Sequence, residues 1–297
     1  MMRFVAPPRA DVDAELWTRP PLADFAVDYP WLRGLDWPSL AQLNQQLAGR
    51  AHPQTGRALQ FVAQTPQLLR DGLHYEQRSF QYGAISTRLE NWHDLLNAAI
   101  WLRHTVLKAA VNARYVAELP LAPHLERSRA QMALTHFDEG GVIVLLRDAQ
   151  LLVAWDAHDW PTLFFDQAEA WRQGQIEVIV FGHALLEHAL RPSSLLVGKA
   201  LALLLPAVAA ADAGADRIAA VANIAEAISA GRVLNDPQEL RPLPLSGIPG
   251  WHAASADRHF YRSAACFRPL RTGRIYPPPL VGAGAPIGEP VVVEDFL

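Results

Sequence analysis

The chain has 297 residues, 51% of them hydrophobic and 19% charged. That balance excludes a globally disordered protein and leaves ample apolar material for a buried core. A formal net charge of −4 gives no general attraction to phosphate backbones or anionic lipid, so neither nucleic acid nor a membrane is an expected partner.

The single cysteine, Cys266, excludes an intrachain disulfide and fits a reducing compartment. The first residues show no continuous apolar run of the kind a secretory leader needs. The most apolar stretch, LLVGKALALLLPAVAAA at 195–211, is interrupted by Lys199 and Pro206. Its unbroken part is far shorter than the roughly 18–20 residues that span a bilayer. A soluble, cytoplasmic protein is the expectation.

In chain order, residues 1–37 are rich in Pro and Trp and read as an extended arm held on the body by its aromatics. Pro38–Gly49 reads as a helix, Leu59–Val62 as a short strand, and Tyr75–Tyr82 as a helix stopped by Gly83. A long helix is expected from Trp92 to Tyr115, with Leu95, Ala99, Leu102, Val106, Ala109 and Ala110 as its apolar stripe. Another runs from about Leu125 to Phe137 and stops at Gly140-Gly141. VIVLL (142–146) is a buried strand. Helices follow at Ala149–Trp155 and Trp160–Gln173, the latter opened by Asp159 and Pro161 and closed by Gly174. IEVIVF (176–181) is the clearest strand and feeds the helix HALLEHAL. Lys199–Leu205 reads as a third core strand and Asp216–Ala230 as an amphipathic helix. From Pro242 onward the chain reads as loop, ending in a tail from 271. No internal repeat is present. The pattern gives a mixed α/β (α+β), helix-rich fold, with a small central sheet flanked by helices. It also gives one globular domain at 38–270 between two extended ends.

Three stretches could carry chemistry. On an unbroken helix His93, Asn97, His104 and Lys108 fall within about 60° of one another, opposite the apolar stripe. Asn91 is a good N-cap with Asp94 at the third position, which explains those two structurally but leaves His93 unexplained. The second stretch, THFDEGG, sets Asp138 and Glu139 at a helix C-terminus, where the dipole disfavours carboxylates by up to about 1 kcal/mol each. Arg127, Arg129, solvent or a cation would offset this. The third, VIVFGHALLEHAL, puts His183 just past the end of a buried strand, with Glu187 one turn later on the same face. Its spacing matches neither zincin motif. No phosphate-binding loop, nucleophile elbow, dinucleotide fingerprint or cysteine-based zinc motif is present.

The runs TRLENWHDLLNAAIWL (87–102), ALTHFDEGGVIV (133–144), FGHALLEHAL (181–190), GKAL (198–201) and PLPLSGIPGW (242–251) together resemble a family designated only as domain of unknown function 3025. The resemblance spans roughly residues 55–270. It implies a bacterial source and one family domain, and brings no activity, cofactor or site residue with it.

Two readings follow. In the first, His93, Asp94, Asp138, Glu139, His183 and Glu187 meet in one cleft. His93, Asp138 and His183 are then catalytic. His93, Asp94, Glu139, His183 and Glu187 would hold a divalent ion, with Zn, Mn, Fe or Ni suiting a mixed His/carboxylate shell. The reaction would be a metal-assisted or acid–base hydrolysis, with Arg88, Asn97 and Lys199 binding a small polar or anionic substrate. In the second, the chain is a non-catalytic protein- or ligand-binding domain whose histidines are structural.

Overall fold

The computed structural model describes residues 4–119, 126–206 and 213–282. The expected helix start at Leu125, the alanine-rich run 207–211 and the last part of the tail lie outside the described residues.

The N-terminal segment is coiled where an extended arm was expected. Short 3-10 turns at Arg9–Asp11, Ala14–Thr18 and Pro30–Leu32 surround helix α1 (Leu22–Asp28). Leu22, Phe25 and Ala26 recur at helical spacing and are buried, as are Leu16, Trp17 and Leu32. These side chains belong to the same buried cluster as the sheet and the helices around it. Helix α2 (Leu40–Leu47) opens with a reciprocal Ser39/Gln42 cap and buries Leu43 and Leu47.

Strand β1 (Gln60–Ala63) pairs in parallel with β2 (Ala84–Thr87), and helix α3 (Tyr75–Tyr82) connects them. Gly83, at φ 68°, ends α3 in the left-handed conformation that glycine adopts without strain. The long helix expected next is two helices, α4 (Trp92–Arg103) and α5 (Thr105–Glu118). His104 has φ −123° and ψ 42° and breaks them apart. Its ring is wedged edge-on between Phe25 and Phe181. The break leaves Val106, expected in the apolar stripe, exposed.

Helix α6 (Arg129–Gly140) runs straight into β3 (Gly141–Leu146), whose residues are all buried. After α7 (Ala149–Asp156) the expected single helix is a π-helical turn, Pro161–Asp166, followed by α8 (Ala168–Arg172). Strand β4 (Ile176–Val180) leads to α9 (His183–Ala189), then β5 (Val197–Leu204) and α10 (Ala213–Ser229). The region expected to be loop contains β6 (Arg241–Pro244), a short helix α11 (Phe260–Ser263) and β7 (Leu280–Val281).

The main sheet has the order β4-β3-β5-β6, with β7 also paired to β5. Strands β3 and β5 are parallel, with Val144 opposite Ala202, while β4 and β6 are antiparallel to their neighbours. A strand buried on both faces can be apolar throughout, as GVIVLL is. Pro242, opposite Lys199, is tolerated because β6 borders the sheet. The result is the expected mixed α/β fold, a small sheet flanked by helices. Among the described residues no helix is long and apolar enough to cross a membrane.

Candidate active site

A cavity of 240 Å³ opens among α3, α4, α5, α6 and α9, and its walls are mostly polar side chains. It is smaller than the roughly 300–1,000 Å³ typical of drug-sized ligands. Its wall includes Arg88, His93, Asp94, Asn97, Asp138, Glu139 and His183. The three distant segments singled out in the sequence therefore converge on one enclosure.

Gly182 makes this convergence steric. A Cβ there would lie 2.5 Å from both the Glu139 carbonyl oxygen and the Gly141 nitrogen. Without it, the start of α9 closes on the α6–β3 junction, and the Gly182 N–H donates to the Gly141 carbonyl at 2.8 Å. His183 then falls beside Asp138, and its Nδ1 is 2.8 Å from the Asp138 backbone oxygen.

The two histidines face each other. His93 Nε2 and His183 Nε2 are 3.0 Å apart. His93 Nδ1 lies 2.9 Å from Glu187 Oε2. A backbone carbonyl and a carboxylate can only accept, so both Nδ1 atoms are donors. Two neutral rings would then turn bare lone pairs on each other across 3.0 Å. One proton between the Nε2 atoms satisfies the pair. Glu187 backs His93, whose side chain is 35% exposed against 6% for His183. Burial drives the His183 pKa down to about 3, against the pull of Asp138, and keeps that ring neutral.

The offset expected for the Asp138 carboxylate comes from Lys108, which is buried and pairs with it directly. Arg127 and Arg129 do not supply it; Arg129 pairs with Asp236. Burial opposes the Asp138 charge, yet Lys108, His183 and His93 outweigh it and hold the carboxyl below its usual range. Lys108 reaches this position because the chain breaks at His104. The single polar edge of a continuous helix does not exist: His93, Asn97 and Lys108 reach the cavity region, and His104 packs in the core.

The expected metal shell is not assembled. Among the described residues no group of three or more His, Cys, Asp or Glu side chains is placed to hold a metal ion. Asp94 is taken by Arg88, accepting from its backbone N–H at 2.6 Å, from Nε at 3.1 Å and from Nη2 at 2.7 Å. Glu187 sits behind His93 on the Nδ1 side, and Glu139 is exposed at the rim. The Asn91 cap holds as read, accepting from the Asp94 N–H at 3.1 Å.

Of the expected substrate contacts, Arg88 and Asn97 line the cavity and Lys199 does not; Lys199 is exposed on β5. Asn97 is buried and donates through Nδ2 to the Tyr75 hydroxyl at 2.9 Å, while its Oδ1 is buried with no partner among the described residues. Arg127 joins Arg88 in the wall and pairs with no acid among the described residues.

With this geometry in view, the match to a family profile gains meaning. The profile of a protein family of unknown function, DUF3025, spans residues 59–271. The chain belongs to this family. The DUF3025 match contains every residue of the cavity wall and excludes the coiled N-terminal segment. No curated protein and no solved structure matches the chain.

Sequence reasoning missed Glu76 and His74 on the wall, and the buried residues His52 and Asn112 behind it. His74 carries one local signal, a reciprocal cap with Gln77 at the start of α3. The others have none, because α3 meets α5 only through tertiary packing.

Proposed function

We propose that the cavity is the active site of a hydrolase that works by acid–base chemistry on a small polar substrate bearing an anionic group. One observation carries this reading: two imidazoles face each other through Nε2 at 3.0 Å while both Nδ1 atoms are already committed as donors. Such a pair stores one proton and can accept, hold and return it. In a hydrolysis, water loses a proton as its oxygen attacks, and the leaving atom gains one. His93, the more exposed ring and the one backed by Glu187, exchanges protons with substrate. His183 and Asp138 position it and balance its charge. Arg88 and Arg127 suit the anionic end of the substrate. The buried thiol of Cys266, its pKa pushed up to about 11 by burial, takes no part.

The test is nitrogen NMR on histidine-labelled protein, paired with a hydrolysis panel of small anionic esters, amides and phosphoesters. One ring of the pair should carry protons on both nitrogens near neutral pH, and His183→Asn should abolish the shared N–H signal. Hydrolysis should disappear in His93→Gln. Spectra showing bare Nε2 atoms on both rings, or turnover that survives His93→Gln, sink the proposal.

A further inference from the structure

The cavity wall also holds a carboxyl engaged by neither the histidine pair nor, among the described residues, an arginine. Glu76 stands in the first turn of α3 and lines the wall. Its carboxylate accepts from Asn112 Nδ2 on α5, which also donates to the Glu76 backbone oxygen at 2.9 Å. With Nδ2 spent on two acceptors, Asn112 Oδ1 is left to face His52 Nε2 at 3.1 Å. An amide oxygen only accepts, so His52 carries its proton on Nε2. Its Nδ1 accordingly accepts from the Gln54 N–H at 3.3 Å. His52 and Asn112 are 0% and 1% exposed, and Phe80 packs edge-on against the imidazole. Every donor and acceptor of this chain has an assigned direction, and the chain ends on a carboxyl in the cavity wall.

We propose that Glu76 is a second proton-transfer group of this cavity, positioned by the buried Gln54–His52–Asn112 chain, and that it exchanges a proton with an N–H or O–H group of a small protic substrate. This inference rests on the acid–base reading of the cavity, yet its chemistry is separable from that of the histidines. A tie between α3 and α5 alone would not need an acid: a glutamine at 76 would accept the same hydrogen bond without bringing a charge under the surface. Nor is a cation assigned to it, since the nearest ammonium, Lys108, is paired with Asp138. The groups facing Glu76 are Tyr75 on its own helix, Lys108 and Tyr115 from α5, and Asp138 from α6. Burial and then Asp138 push its pKa up to about 7, against Lys108 and Asn112. Both protonation states are therefore present near neutrality, as proton transfer in both directions requires. With Glu76 as one partner and His93 as the other, water's proton and the leaving atom's proton have separate carriers.

A small neutral diazo reagent tests this on the intact protein. The protonated carboxyl gives its proton to the diazo carbon, dinitrogen leaves, and the carboxylate oxygen bonds to that carbon as an ester. Peptide mapping should find the ester on Glu76 below neutrality, fading with a midpoint near 7, and none on Asp138. Glu76→Gln should remove the label while the histidine NMR signals persist. Asn112→Ala deletes a donor to the charged form and should raise the midpoint by about one pH unit. His52→Gln, which keeps a polar group against Asn112, should move it less in the same direction and serves if Asn112→Ala does not fold. An unlabelled Glu76 in folded protein, a midpoint in the ordinary carboxylate range, or a midpoint that neither variant moves overturns the proposal. Loss of the shared histidine proton with Glu76 labelling intact would instead count against the histidine reading alone.

Discussion

Two buried cations in this protein meet their carboxylates in opposite ways. Arg241, at the start of β6, forks onto Asp156 with Nε–Oδ1 at 2.7 Å and Nη2–Oδ2 at 3.1 Å, and donates again to the Pro277 carbonyl at 2.6 Å. Trp155 and Tyr276 flank its guanidinium, and Asp156 keeps a third of its side chain in solvent. This is a closed arrangement that ties β6 to α7. Lys108 meets Asp138 as a single ammonium, among the rings of Trp101 and Phe181, beside a cavity that also holds Glu76 and His183. The planar fork satisfies geometry and charge together. The point charge sets the potential of a space that other groups share. The two buried charges thus differ in what is left facing open volume.

Removing each cation gives the largest effect and the sharpest contrast. Lys108→Met should cost about 3–5 kcal/mol in chemical denaturation, because Asp138 stays largely buried and loses its directly bonded counter-charge. The double variant with Asp138→Asn should recover most of that. Arg241→Met should cost only about 1–3 kcal/mol, since water still reaches Asp156, and should leave the histidine NMR signals unchanged. Equal costs at the two sites would erase the distinction.

Next in size is a pH effect. Burial and Asp138 push the Glu76 pKa up to about 7, from an ordinary carboxyl value of 4.5. Between these values the folded state holds a proton that the unfolded state has lost. The stabilising contribution is complete below about 4.5 and disappears as pH rises through about 7, on the order of 3 kcal/mol in all. The stability of the wild type minus that of Glu76→Gln should fall across that window. His183 acts in the other direction. Its folded pKa of about 3 lies below the ordinary 6.5, so its contribution is present above 6.5 and is lost as pH falls toward 3. Comparing wild type with Glu76→Gln and with His183→Asn in urea melts at several pH values separates the two slopes.

Gly182→Ala should cost about 1–3 kcal/mol, because its methyl group meets backbone that cannot retreat easily. The variant should also weaken the His183–Asp138 contact, seen as a changed His183 Nδ1 signal. Smallest is Asp94→Asn. Its partner Arg88 is half exposed, so stability should change by no more than about 1 kcal/mol, measured by thermal melting. A larger loss there would mean that the Arg88 clamp is structural in the manner of Arg241.

Much of the molecule was legible along the chain. Buried strands β3 and β4, the Asn91 cap, the Gly83 stop and the start of α9 at His183 are local matters of period, capping and glycine conformation. The convergence of His93, Asp138 and His183 was legible as an expectation, because each stood out against its own segment. The break at His104 was not, since its ring is held by Phe25 and Phe181 from other parts of the chain. Strand β6 was hidden by its prolines, which a bordering strand accepts, and the N-terminal turns were hidden by a Pro-rich composition.

Sequence alone therefore determined the element types, the mixed α/β class and the polar segments worth watching, because periodicity and capping act over a few residues. Tertiary packing decided which charges are paired. Lys108 lies 30 positions from Asp138, Glu76 lies 36 from Asn112, and His93 lies 90 from His183. Those pairings set two imidazoles Nε2 to Nε2 beside a paired carboxylate, where a metal shell was expected. The physical reason is that the state of a buried charge depends on what packs against it, and that is settled only when the helices meet.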